Sequence, residues 1–319
     1  MKTLRGPGVR PDWRAAAVAI GNFDGVHLGH RALLERARER ARALGGPAIA
    51  VTLDPHPSAL LAPHLAPPLL TTMERRLELL ADTGIDVAIV LAFSAELASM
   101  PAERFVDEIL RGELAAKHVV VGHDFSYGQG RGGSTSTLVA HGARADFAVD
   151  VLSAVQVDGE IASSTRVRGH LRAGNLARAR ALLGHGYDLE GVVVHGAKRG
   201  RELGFPTANV EPELELICGT GIYAARLAVF EPGAPDRGAL GASLPAVASL
   251  GTNPTFVTQG ARTLEVFVLD YSADLYDRRV RVELVEKLRD EARFDSVDAL
   301  VAQIHDDVAA ARRALRAST

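Results

Sequence analysis

The apolar residues of this chain change rhythm halfway along it, and that change limits the fold more than any other feature. Over the first half, short apolar runs alternate with amphipathic stretches. The runs 15–20, 48–53, 87–92, 118–121 and 147–152 have the length of strands. Between the first two, 31–44 spaces Leu33, Leu34, Ala37, Ala41 and Leu44 at helical intervals and ends on Gly45-Gly46, a C-cap signal. Stretches 75–80 and 102–110 read as further helices. Strand and helix in alternation predict a parallel sheet covered on both faces, with ligands at the carboxyl ends of its strands.

The second half reads differently. Apolar runs at 192–194, 223–230, 246–250, 264–269 and 280–285 are separated by Gly, Pro and Asn, with no long helical pattern between them. An antiparallel barrel is the expected outcome. Val297, Leu300, Val301, Ile304, Val308 and Leu315 then mark a closing helix. A helical segment over 167–183 precedes a boundary near 184–188, so 319 residues divide into domains 1–185 and 186–319. The Gly- and Pro-rich stretch 231–241 reads as a surface excursion of a hairpin.

Hydrophobic residues at 47% and charged residues at 24% exclude a disordered or fibrous chain. A net charge of −3 argues against a broad nucleic-acid surface. The apolar run 87–93 falls far short of the roughly 20 residues of a membrane-spanning helix. Gly6, Pro7 and Pro11 interrupt any secretory leader, so a cytoplasmic protein is expected. The single Cys218 excludes an intramolecular disulfide and a cysteine-based zinc site. Oligomeric state stays open, a homo-oligomer included.

Two regions carry chemistry. Gly21-Asn22-Phe23-Asp24-Gly25-Val26-His27-Leu28-Gly29-His30 follows the first central strand and opens the first helix. A helix N-terminus presents free N–H groups to an anion, and imidazoles three residues apart can face one ligand. Phe125 and Tyr127 offer stacking area to a flat ring, or core packing. Ser163, Ser164 and Thr165 supply hydroxyls ahead of Arg168, which suits either a phosphate grip or a capped helix with a solvated arginine. Residues 128–133 fit G-x-G-x-x-G, but five residues separate them from the strand, so they read as a flexible glycine loop over the site and not as a dinucleotide fingerprint.

The second region runs from Gly191 to Asn209. Gly196, Gly200 and Gly204 let backbone approach phosphates, and Thr207 and Asn209 offer the oxygen ligands Mg²⁺ prefers. Taken alone, Gly-Phe-Pro-Thr reads as a turn. In 264–269 strand alternation puts Glu265 on the face of Phe267 and Leu269. A carboxylate there lies on an exposed edge or has a task.

Taken together these segments resemble a known family. Residues 20–30 resemble the signature of the H-x-G-H nucleotidylyltransferases, in the form found in bacterial bifunctional riboflavin kinase/FAD synthetases. Asp54-Pro55-His56-Pro57, residues 121–128 and Ser163-Ser164-Thr165-Arg166-Val167-Arg168 resemble its later motifs, and 191–209, 251–256 and 288–294 those of its kinase half. The resemblance implies an α/β plus β architecture: a Rossmann-like nucleotidylyltransferase domain with a parallel sheet, then a riboflavin kinase barrel with a closing helix. It implies phosphorylation of riboflavin to FMN by ATP and Mg²⁺, then adenylylation of FMN to FAD with release of pyrophosphate.

By the same resemblance, His27, His30 and Arg168 assist adenylyl transfer and Glu265 is the base for riboflavin. ATP phosphates would meet Gly21, Asn22, Phe23, Gly25, His27, His30, Ser163, Ser164, Thr165 and Arg168 in one domain, and Gly196, Gly200, Arg201 and Thr207 in the other. Pro57, Asp124, Phe125, Tyr127 and Arg289 would hold flavin, and Thr207 with Asn209 the metal. Two positions depart from the family. Leu60 and Leu61 stand where it often has an aromatic, and Asp277 stands where it usually has glycine. Alternatives are a chain that retains one activity only and a flavin- or nucleotide-binding regulator.

Overall fold

The computed structural model describes residues 1–6, 13, 15–196, 200, 203–231, 239–252 and 262–317. The chain forms two compact units, Met1–Ser164 and Thr165–Thr319.

In the first unit six strands, β1 (Lys2–Arg5), β2 (Ala16–Ile20), β3 (Ala48–Asp54), β4 (Val87–Ala92), β5 (Ala116–Gly122) and β6 (Ala148–Leu152), form one sheet in the order β1-β4-β3-β2-β5-β6. Every pair is parallel. Alternation along β2 sends Ala16, Val18 and Ile20 into one core and Ala17 and Ala19 into another, the second capped by Leu34 and Ala37 of helix α1 (Leu28–Leu44). Burial on both faces is what a continuous apolar run in a parallel sheet requires. The edge strand β1 escapes the sequence reading because Leu4 is its only apolar residue.

Strand order reverses at β2, with β3 and β4 on one side and β5 and β6 on the other. The carboxyl ends of β2, β3 and β5 therefore meet at the topological switch point, where open α/β sheets bind ligands. Helix α2 (Met73–Asp82) lies between β3 and β4 in sequence, and α3 (Thr135–Arg144) precedes β6. The expected helix at 102–110 is an α-turn followed by a π-helical stretch, Phe105–Glu113, which turns Phe105, Val106, Ile109 and Leu110 inward. The glycines at 128–133 form an ordered hairpin turn. Ser126–Tyr127 pairs with Gly133–Ser134, and Ser134 caps α3 in a reciprocal capping box with Thr137.

The expected helix 167–183 is two helices. Helix α4 (Ser164–Arg172) stops before Gly174 at φ 71°, and Asn175 caps α5 (Leu176–Leu183). The barrel follows: β7 (Tyr187–Val194), β8 (Ala208–Pro212), β9 (Gly221–Val229), β10 (Leu244–Thr252), β11 (Arg262–Val268) and β12 (Arg279–Arg289). It closes in the order β7-β8-β11-β10-β9-β12, antiparallel throughout. Closure removes free edges, so Glu265 does not lie on an edge strand. Strand β8 was not expected: its short, polar sequence hides it, and it places Asn209 on a strand and not in a turn. Helix α6 (Val297–Ala317) packs Ala311 and Leu315 on Ala224. Among the described residues no helix is long and apolar enough to cross a membrane.

Glu190, buried in β7, faces Arg281 of β12, whose Nε donates to Oε1 at 2.9 Å. Removing one partner of a buried pair leaves an uncompensated charge, so Glu190→Ala should destabilise the barrel by about 3–5 kcal/mol. Urea unfolding checks this; an unchanged midpoint would show that the pair contributes nothing.

Candidate active sites

The adenylyl-transfer signature occupies the loop between β2 and α1. His27 is the N-cap of α1, and its Nδ1 accepts the backbone N–H of His30 at 3.3 Å. An accepting Nδ1 leaves the proton of a neutral ring on Nε2. The His27 and His30 rings stack with centroids 3.6 Å apart, and Phe23 meets His30 edge-on at 5.2 Å. A Cβ on Gly29 would sit 3.0 Å from both the Ala162 carbonyl and the His27 ring, which explains the glycine between the histidines. Burial first, then the charges of His27 and Arg76, hold His30 well below the ordinary histidine pKa. It is a neutral imidazole at pH 7.

The loop is anchored from several sides. Asp24 is buried, and its carboxylate accepts the N–H groups of Leu70 and Thr71 at 3.0 and 3.1 Å and the Thr71 hydroxyl at 3.2 Å. Thr71 Oγ1 in turn accepts Gly25 N–H at 3.2 Å. Ser164, expected on a phosphate, donates its hydroxyl to the Asp24 carbonyl at 2.9 Å. Asn22 Nδ2 lies 3.0 Å from His56 Nε2, which joins the ends of β2 and β3.

Of the expected flavin residues, Pro57 begins a short helix, Pro57–Leu61, directly after β3. Leu60 and Leu61, in place of the family's aromatic, are exposed. Phe125 stacks on Tyr127 with centroids 5.6 Å apart, and Tyr127 is buried against Phe105 at 5.7 Å. Tyr127 thus backs Phe125, while Asp124 is exposed. Ser163 is partly exposed and Thr165 exposed, whereas Arg168 is buried on α4 with Val167 and Leu171.

In the barrel, register aligns residues expected at the second site. Asn209 on β8 pairs with Glu265 on β11, and Glu265 pairs with Ser249 on β10. Thr207 Oγ1 is 3.5 Å from Glu265 Oε2. A Cβ on Gly196 would lie 2.1 Å from Asn209 Nδ2, so glycine is required for that amide to sit there. Glu265, Phe267 and Ser249 line a cavity of about 360 Å³, with Phe205 and Phe294 among its walls. The opposite face of β11, Val266 and Val268, lines a second cavity of about 510 Å³ that runs to Tyr276. Thr207 borders both. Arg201 lies outside the described residues, and so do positions 253–256 of the expected turn.

Arg289 lines the first cavity, gripped by Asp307 of α6 through Nε–Oδ1 at 2.8 Å and Nη2–Oδ2 at 2.7 Å. Gln303 adds a bond to Asp307 at 3.0 Å. Asp307 was missed by the sequence reading. Its signal was a carboxylate in the apolar stripe between Ile304 and Ala311. Asp277 stands at φ 59°, a backbone conformation that glycine adopts freely and aspartate tolerates, so the departure at this position costs little.

A folded chain that resists protonating His30 loses stability as pH falls below about 6.5, where the unfolded histidine takes up its proton. Stability above that pH is unaffected. His30→Asn should narrow the difference in urea stability between pH 8 and pH 5.5 by about 1 kcal/mol. An equal difference in both proteins would show that His30 protonates freely in the fold.

Comparison with known proteins follows the same division. A family profile described as FAD synthetase matches residues 9–166, and one described as riboflavin kinase matches 183–315. The chain is 41% identical over 313 residues to a bifunctional riboflavin kinase/FMN adenylyltransferase of Pseudomonas fluorescens, covering 98% of this chain and 97% of that one. To the Escherichia coli K12 protein of the same description it is 39% identical over 295 residues, 92% and 91% of the two chains. A crystal structure described as a macrolide-efflux protein from Streptococcus pneumoniae is similar at a TM-score of 0.81 and 28% identity, over 98% of this chain and 99% of that one. Matched in both halves and nearly end to end by its relatives, the chain belongs to the bifunctional riboflavin kinase/FMN adenylyltransferase family, an enzyme that phosphorylates riboflavin to FMN and adenylylates FMN to FAD.

Proposed function

We propose that the barrel phosphorylates riboflavin with Glu265 as base and that the parallel-sheet unit adenylylates FMN with His27 and His30 as hydrogen-bond donors to phosphate. The observation that carries the kinase half is that Thr207 and Glu265 meet at the wall of the 360 Å³ cavity, with Asn209 in register beside Glu265 on the neighbouring strand. Phe205, Phe267 and Phe294 give that cavity flat apolar walls suited to an isoalloxazine, and Arg289 is held in it by Asp307. Glu265 takes the proton of the terminal ribityl hydroxyl as that oxygen attacks the γ-phosphorus of ATP. The bond from γ-phosphorus to the bridging oxygen breaks, and ADP leaves.

We assign the nucleotide to the second cavity, since Thr207 borders both spaces; Gly196, Gly200 and Arg201 are the residues of the glycine-rich segment assigned to its phosphates. Thr207, which borders both cavities, and Asn209, in register with Glu265, carry oxygen donors and fit Mg²⁺, which binds through few protein ligands together with substrate phosphates. When bound, the ion neutralises phosphate charge.

In the first unit a phosphate oxygen of FMN attacks the α-phosphorus of ATP, and the bond to pyrophosphate breaks. His27 and the neutral His30 donate N–H to phosphate oxygens beside the N-terminus of α1. Gly21, Asn22, Phe23 and Gly25 shape the loop that receives ATP. Ser163 adds a donor, while Ser164 serves through Asp24. Pro57, Asp124 and Phe125 flank the flavin, with Tyr127 behind. We place the functional boundary after residue 185, within the first residues of the riboflavin kinase match, 183–315. ATP as co-substrate at both sites argues for a cytoplasmic enzyme.

Glu265→Gln should lower riboflavin phosphorylation about 10²–10⁴-fold and spare FAD formation from supplied FMN. His30→Ala should do the reverse. Chromatography of FMN and FAD over time reads both; loss of both activities from either substitution in a folded protein would refute the two-site assignment.

A further inference from the structure

The loop that carries the histidine pair is held in a conformation it would not adopt alone. Phe23 stands at φ 50° and Val26 at φ 38°, the left-handed region that a β-branched residue rarely enters. Such backbone persists only where its surroundings over-determine it. The surroundings converge on Arg76 of α2, which is 1% exposed although nothing in the signature names it. Its Nη1 donates to Thr52 Oγ1 at 3.4 Å, and Thr52 donates to the Asn22 carbonyl at 3.0 Å. Its Nη2 lies 3.6 Å from Oδ1 of Asp24, which is 2% exposed.

We propose that Arg76 is a positioning residue for adenylyl transfer, with Thr52 as its relay. From beneath the loop, one planar guanidinium ties the Asn22 carbonyl and the Asp24 carboxylate together, and so keeps His27 and His30 stacked at the head of α1. This rests on the reading of the histidine pair as the adenylyl-transfer site. The fork matters as much as the charge, because an ammonium acts as a point donor and does not span two partners in a fixed plane. A loop displaced by about 1 Å would misplace both imidazoles, an error that costs about 10²-fold in rate.

The bifunctional chain supplies its own control. In the full chain, FAD formation from FMN and ATP and riboflavin phosphorylation are measured on the same preparations of Arg76→Gln, Arg76→Lys, Thr52→Val and His30→Ala. Arg76→Gln is expected to lower kcat for FAD formation about 10²-fold with KM for ATP and FMN little changed, and Arg76→Lys to recover part of the loss. Thr52→Val keeps shape and charge but removes the relay, and should lower kcat about tenfold. Riboflavin phosphorylation should run at the wild-type rate in all three.

An unchanged kcat in Thr52→Val overturns the proposal, as does a raised KM with kcat intact in Arg76→Gln. If Arg76→Gln does not fold, Thr52→Val decides. His30→Ala separates the two levels. Wild-type FAD formation in it would sink the reading of the histidine pair itself. An inactive His30→Ala beside normal Arg76 and Thr52 variants would sink the positioning role alone.

Discussion

A carboxylate buried to 2% exposure must be hydrogen-bonded and neutralised, and at Asp24 that requirement organises the whole end of the first unit that carries the histidine pair. The group is satisfied by two backbone N–H groups and a hydroxyl from residues 70 and 71, with Arg76 behind it. Meeting the demand joins the end of β2, the start of α2 and the side chain of Thr52 on β3 into one network. The left-handed backbone at Phe23 and Val26 is sustained by those bonds. The stacked histidines then follow from the place where the loop enters α1.

The barrel reaches its geometry by another route. Closure leaves no strand edge, and antiparallel register sets which residues stand side by side. Asn209, Glu265 and Ser249 form a row across three neighbouring strands. Alternation along β11 then sends Glu265 and Phe267 to one cavity and Val266 and Val268 to the other. The two candidate sites also differ in their chemistry. One offers a histidine kept neutral by burial, the other a carboxylate beside hydroxyl and amide oxygen donors.

Much of this was legible in the sequence where the signal is local. The strand periods at 15–20, 48–53 and 87–92 emerge as β2, β3 and β4 within a residue or two, because an apolar run bounded by turn residues has few alternatives. Short polar strands were missed: β1 has one apolar residue, and β8 is short and polar and directly follows a stretch read as a turn. The break at Gly174 was overlooked because apolar spacing continues across it. Arg76 looked like one more charge on an amphipathic helix, since nothing local distinguishes a buried arginine from a solvated one.

By itself the sequence determined the alternating parallel sheet and the barrel with its closing helix, and marked out the motifs proposed to carry each chemistry, because periods of two and 3.6 residues and glycine-bounded turns are properties of neighbours along the chain. Only the tertiary structure decided that Asp24 binds residues 46 and 47 positions away, that Thr207 meets Glu265 across 58, and that Asp307 grips Arg289 across 18. Those pairings depend on strand order, barrel register and the seat of α6. They are settled by the cost of leaving buried charges unpartnered, a cost that arises only once the chain has closed around them.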